Sequence, residues 1–190
     1  LRGNMALRDA KIAHLDIKPE NVVGMEKEGK TIFKIIDFDF ACSSEKPCQK
    51  TFGTPGFFPP EVFTAGRYAN PEKADVFSLG VTLHQVMYGG SPKFCKSKKR
   101  EPDQIEKKEF YELYMARKLS VKYIINPKNK FVDFDREILE KFEALLIGML
   151  NPCPEYRLSK RDVYSKFLSL CKEAKIDVEG FSVELPTSIT

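Results

Sequence analysis

The sequence predicts an α+β fold that is mainly helical and carries one small β-hairpin. Three observations predict it. Two short apolar runs, "NVVGM" at 21–25 and "TIFKII" at 31–36, flank the polar, glycine-containing "EKEGK", a strand–turn–strand pattern. Beyond residue 70, a capping residue and a proline open a stretch with apolar residues on every side, as in a buried central helix. Two later stretches keep their apolar residues on one broad helical face.

The elements follow in order. The first dozen residues, with Leu7, Ala10 and Ala13 at helical spacing, read as the last turns of a helix begun upstream. After the hairpin, residues 41–60 are rich in Ser, Pro and Gly and predict a long irregular loop, a kind of loop that is usually functional or disordered. A helix then starts at "ANPEKAD", with Asn70 as N-cap and Pro71 in the first turn, and ends at Gly89 and Gly90. Its core residues are Val76, Phe77, Leu79, Val81, Leu83, Val86 and Met87. A second helix is predicted over 103–118, where Asp103 and Glu106 form a capping-box pattern. A third spans 135–150, with Ile138, Leu139, Phe142, Leu145, Leu146 and Met149 on one face, and stops at "NPCP". The fourth opens at Ser159, with Asp162 completing its cap, and runs to about residue 171. The chain thus divides into a body, 1–174, and a loosely structured tail, 175–190.

The totals bound the function. At 190 residues, 42% hydrophobic and 31% charged, the chain fits one domain or a large piece of one, not a disordered segment. A net charge of +4 is too small to argue for nucleic acid. The five cysteines are scattered, without a CxxC pair, and read as reduced intracellular thiols, not a disulfide framework or zinc site. No apolar run approaches the roughly 20 residues of a membrane span, and no signal peptide is visible. These readings predict neither a nucleic-acid nor a membrane partner, and an intracellular setting, cytoplasmic or nuclear. That the first residue is Leu1, not methionine, predicts a chain cut from something longer.

Chemistry concentrates around the hairpin. In "IIDFDF" (35–40), Asp37 and Asp39 would share one face of an extended chain and Phe38 the other. With the strands paired antiparallel, Asn21 lies just before one strand and Asp37 just after its neighbour. Strands about 4.8 Å apart let these side chains converge on one ion. A carboxylate plus a neutral amide oxygen suits Mg²⁺, which keeps waters and takes further ligands from phosphate. Upstream, "HLDIKPEN" (14–21) sets Asp16 and Lys18 beside that site, a proton acceptor next to a phosphate-balancing cation.

The same octapeptide resembles the catalytic loop of protein kinases, H-x-D-x-K-x-x-x-N, with His14, Asp16, Lys18 and Asn21 in place. "DFD" (37–39) stands where that family has D-F-G, and "GTPGFFPPE" (53–61) resembles the end of its activation segment, with "PPE" for A-P-E. "ADVFSLGV" (74–81) is similar to its central helix, and "LIGMLNPCPEYRLS" (146–159) to its late helices and their arginine. Five signatures in family order cover nearly the whole chain. The resemblance implies a Ser/Thr protein kinase that uses ATP and Mg²⁺ on a protein substrate. Asp16 would take the substrate proton, Lys18 would contact the γ-phosphate, and Asn21 and Asp37 would hold Mg²⁺. Thr54 would bond toward Asp16 and Lys18, Glu20 and Phe58 would receive the substrate, and Val22 and Val23 would floor the adenine site. His14, Phe38 and Asp75 would stack beneath the loop, Asp75 also bracing it, and Glu61 would pair with Arg157.

Three departures qualify this picture. Leu15 replaces the arginine that many kinases use to grip a phosphorylated activation segment, and Lys50 sits where that phosphate often lies. Activity is therefore expected not to depend on phosphorylation there, with Ser43, Ser44 and Thr51 left for other regulation. Asp39 replaces the D-F-G glycine, adding charge near the metal. No glycine-rich phosphate loop, strand lysine or partner glutamate is found. The chain is thus expected to be a kinase C-terminal lobe, inactive alone, with the N-lobe of the same domain as its partner. The alternative is a pseudokinase or truncated scaffold. The basic run "KFCKSKKR" (93–100) reads as a solvated loop, with a docking or nuclear-import patch as its alternative.

Overall fold

Helix α1 (Arg2–Asp9) leads into strand β1 (Ile12–Ala13), a loop, and a 3₁₀ turn (Pro19–Asn21). The computed structural model describes residues 1–27, 29–48, 53–62, 68, 70–90, 92 and 135–176. The helix expected at 103–118, the basic run 93–100, Lys50, Thr51 and the tail from 177 lie outside the described residues.

Strands β2 (Val22–Lys27) and β3 (Lys30–Ile35) form the hairpin, paired antiparallel from Val22↔Ile35 outward. Strand β4 (Cys42–Ser43) pairs antiparallel with β1, Ile12 opposite Ser43 and Ala13 opposite Cys42. A further bridge joins Cys48 to Tyr68 through reciprocal backbone bonds of 2.9 and 3.0 Å. The expectation of a mainly helical body with one minor hairpin is therefore corrected: the chain carries a β-sheet region of two two-stranded ladders together with a helical bundle. The second ladder escaped notice because its strands are two residues long and pair across a long stretch of chain, so neither shows alternation.

Helix α2 (Pro71–Tyr88) is the centre of the bundle. Asn70 caps it by accepting from the Lys73 amide at 3.1 Å, and Gly89, at φ 66, closes it with a bond to the Gln85 carbonyl. Helices α3 (Arg136–Met149) and α4 (Lys160–Glu173) pack on it and on each other. Val76, Phe77, Leu145, Leu146, Met149, Leu150 and Val163 form the main core. Ser159 and Asp162 close a capping box at the start of α4. A second apolar cluster, Ala13, Leu15, Cys48, Val62, Tyr68 and Ala74, lies under the loop after β1 and the segment after β4. Among the described residues, no helix is long and apolar enough to cross a membrane.

Candidate active site

The loop after β1 is held from below. The His14 and Leu15 amides donate to the two carboxylate oxygens of Asp75 at 2.9 and 2.8 Å. Leu15 adopts φ 64, a left-handed conformation that a bulky residue keeps where its surroundings fix it. The His14 ring accepts from the Asp16 amide at Nδ1 (3.3 Å), so its proton sits on Nε2 and is donated to the Ile36 carbonyl at 3.0 Å. The Phe38 ring lies 4.9 Å from that imidazole, tilted by 59°. One buried histidine thus ties the loop to the end of β3.

Four side chains meet on top. Asp16 is 2% exposed. Its Oδ1 accepts from the Thr54 amide (2.9 Å) and hydroxyl (2.7 Å). Its Oδ2 accepts from Lys18 Nζ (2.7 Å) and Asn21 Nδ2 (3.0 Å). Lys18 also donates to the Thr54 hydroxyl at 2.7 Å, closing a ring of charge-assisted bonds. Burial pushes the Asp16 carboxyl up. The bonds from Lys18 and Thr54 and the lysine charge outweigh it, holding the group below the ordinary carboxylate range. The result is a buried carboxylate held ionised beside a lysine.

Asn21 immediately precedes β2, and the Ile36 amide donates to its carbonyl at 3.0 Å, which places Asp37 one residue beyond that pair. Asp37 is exposed and, among the described residues, accepts one long bond, from the Asp39 amide at 3.4 Å. The left-handed residue in "DFD" is Asp37, at φ 65; Asp39 is not among the positive-φ residues. Asp39 thus needs no glycine-like backbone here. An amide oxygen and an open carboxylate at adjacent strand ends fit a hard, phosphate-bound cation. Among the described residues, no group of three His, Cys, Asp or Glu is placed to hold a metal by protein ligands alone.

The hairpin separates the two valines. Val22 shares a face with Ile35, whose side chain lies over Gly3 of α1, whereas Val23 points to the opposite face and is 38% exposed. Glu20 is exposed and Phe58 half-buried. Gly53, one residue before Thr54, leaves no room for a side chain: a Cβ would stand 3.0 Å from both the Leu15 carbonyl and the Tyr68 hydroxyl. Burial, reinforced by the charges of Asp75 and Asp16, pushes that Tyr68 hydroxyl far above its ordinary range.

Glu61 and Arg157 form a two-pronged ion pair at 2.7 and 2.8 Å. The remaining guanidinium N–H groups reach the carbonyls of Asn151 (2.6 Å), Lys73 (2.9 Å) and Pro152 (3.0 Å), and the Phe77 ring lies 5.1 Å away. Lys73 Nζ donates in turn to the Arg157 carbonyl. Sequence reasoning missed Tyr68 and Lys160, whose buried ammonium contacts Asp75 at 2.9 Å. The available signal for Lys160 was a lysine at the first position of a helix, where the macrodipole disfavours a cation.

The family model described as "Protein kinase domain" matches residues 1–168. The chain belongs to the protein kinase family. It is 35% identical over 92 residues to rabbit (Oryctolagus cuniculus) "Myosin light chain kinase 2, skeletal/cardiac muscle", covering 47% of this chain and 15% of that protein. It is 27% identical over 170 residues to "Serine/threonine-protein kinase GL21140" of Drosophila persimilis, covering 88% of this chain and 20% of that protein. "Ovarian-specific serine/threonine-protein kinase Lok" of Drosophila melanogaster is 37% identical over 89 residues, covering 45% of this chain and 19% of that protein. The chain thus spans a fifth or less of these relatives' length. The family match bears out the protein kinase reading, and membership implies the general use of ATP and Mg²⁺.

The match also corrects one expectation. The matched family is the protein kinase domain, and this chain holds both a β-sheet region and a helical bundle, so it is not the C-lobe-only fragment expected from the sequence. A separate N-lobe is not indicated as a partner. The missing motifs say which phosphate contacts a sequence displays, not which domain it builds.

Proposed function

We propose that this kinase domain transfers the γ-phosphoryl group of ATP to a serine or threonine hydroxyl of a protein substrate, in an intracellular setting. The carrying observation is the buried Asp16 carboxylate gathered with Lys18, Asn21 and Thr54. Oδ1 is fixed by Thr54, whose backbone does not turn away. Oδ2 accepts from Lys18 Nζ and Asn21 Nδ2. With Lys18 drawn to phosphate, Oδ2 would be the oxygen that takes the substrate proton. Asn21 and Asp37 would hold Mg²⁺, which neutralises phosphate charge when bound. Val23 is the hairpin residue that presents an apolar surface to adenine, while Glu20 and Phe58 flank the path of the substrate. His14, Phe38, Asp75 and the Glu61–Arg157 pair keep these groups in place.

Activation by phosphorylation of the segment after β4 is not required in this reading. Leu15 is packed with Cys48, Val62 and Tyr68, an apolar anchor where a phosphate-binding arginine would need charge. The test is phosphate transfer by the full-length protein, with phosphoamino-acid analysis. Asp16→Asn should lower turnover by about a hundredfold or more, with phosphoserine or phosphothreonine as the wild-type product. Wild-type turnover in Asp16→Asn, or phosphotyrosine alone, would refute the assignment and favour a scaffold or another chemistry.

A further inference from the structure

Lys160 opens α4 with its side chain fully buried, 0% exposed. A helix N-terminus repels a cation, and burial penalises an ammonium that has no counter-charge. Its position is explained by one partner: Asp75 Oδ2 at 2.9 Å, equally buried, with the Ile12 carbonyl at 3.4 Å. The same carboxylate accepts the His14 and Leu15 amides. Three elements, α2, α4 and the loop after β1, therefore meet at one ion pair.

Leu15 is the left-handed residue immediately before Asp16. Its amide is pinned to Asp75 Oδ1, and the Asp75 carboxylate is in turn oriented by Lys160 at Oδ2. We propose that Lys160 is a positioning residue for Asp16. Its ammonium holds the Asp75 carboxylate turned toward the loop, and through the strained Leu15 backbone aims Asp16 at Thr54 and Lys18. Lys160 touches no reacting atom. The effect on turnover rests on the kinase reading above; the effect on the loop does not.

The experiment compares Lys160→Met with wild type in the full-length protein, using Val163→Ala as a packing control in the same helix. Val163 is 1% exposed and belongs to the main apolar core. Small displacements of a catalytic group cost large factors in rate. Lys160→Met should therefore lower kcat about tenfold or more, with KM for ATP and peptide within about twofold. Hydrogen exchange at the His14 and Leu15 amides should also rise about tenfold or more, because a carboxylate no longer anchored at Oδ2 turns away from them more often. Val163→Ala should lower stability without this selective change at the two amides. Unchanged exchange at both amides in Lys160→Met would overturn the proposal, as would a fall in kcat matched by Val163→Ala. If wild type transfers no phosphate, the kinase reading fails while the exchange comparison still decides the positioning claim. If Lys160→Met does not fold, Lys160→Gln removes the charge but keeps a donor. Faster exchange at the two amides supports the proposal, and wild-type exchange refutes it.

Discussion

Arg157→Ala should lower folding stability by about 3–5 kcal/mol, the range for breaking a buried ion pair from one side. The structure gives the contributions. All five guanidinium N–H groups are in use, two on Glu61 and three on carbonyls. Removing them leaves the Glu61 carboxylate, 14% exposed, without its counter-charge. The carbonyls of Asn151, Lys73 and Pro152 each lose a donor, at about 1–3 kcal/mol for an acceptor that stays buried and unpaired. Water entering the vacated space and the partial exposure of Glu61 offset part of that sum, which keeps the total near the ion-pair figure. Against a typical stability of about 5–15 kcal/mol, the loss is large. Arg157→Lys should recover less than half, since an ammonium cannot span a carboxylate and three carbonyls at once. Urea unfolding of the three proteins measures this through midpoints at constant slope. A shift below about 1 kcal/mol in Arg157→Ala would show that the pair contributes little net stability and refute the reasoning.

Three other outcomes follow from the same geometry. Asp37→Ala should abolish phosphate transfer while Asp39→Gly leaves it largely standing, because Asp39 needs no left-handed backbone; equal losses in a steady-state assay would make Asp39 a metal ligand too. Burial holds the His84 imidazole below its ordinary pKa, with its bond to the Gly90 carbonyl opposing. The unfolded chain therefore takes the proton first, so stability should fall as pH drops below about 6.5, levelling off below the folded value. His84→Gln should flatten that slope in unfolding measured from pH 7 to 5, and an unchanged slope would assign it to another group. Phosphatase treatment of active full-length protein should leave turnover intact, given the apolar packing around Leu15; loss of activity would show a phosphate doing work that Leu15 does not replace.

Local signals made much of the scaffold legible, and non-local ones hid the rest. Asn70, Pro71 and Gly89 marked the ends of α2, and Ser159 with Asp162 marked the start of α4, because caps act within one turn. The hairpin was visible through its two apolar runs, and its register then brought Asn21 close to Asp37. The β1–β4 ladder had no such pattern, since two-residue strands are made by their partner and not by their own sequence. The positive φ of Asp37 could not be read from "DFD", where the glycine position drew attention to Asp39 instead. Lys160 shows in the sequence only as a cation at a helix start, and its burial against Asp75 is a tertiary fact.

Helix α2 shows what an apolar pattern conceals. It reads as hydrophobic on every side, yet Asp75, Ser78 and Thr82 fall on one stripe at helical spacing, and all three are buried. Asp75 takes the His14 and Leu15 amides. The Ser78 hydroxyl donates to the Phe57 carbonyl at 2.9 Å, in the segment carrying Thr54. The Thr82 hydroxyl lies 3.4 Å from the Ile17 carbonyl and 2.9 Å from its own helix at Ser78. The stripe thus meets the loop before Asp16, the loop after it, and the segment that covers it. A buried polar group is tolerated where it is bonded, and here each of the three residues has a partner in the backbone around Asp16 or Thr54. The rigid helix sets the relative positions of Asp16 and Thr54, which lie far apart in sequence, and Lys160 keeps the charged member of the stripe in register.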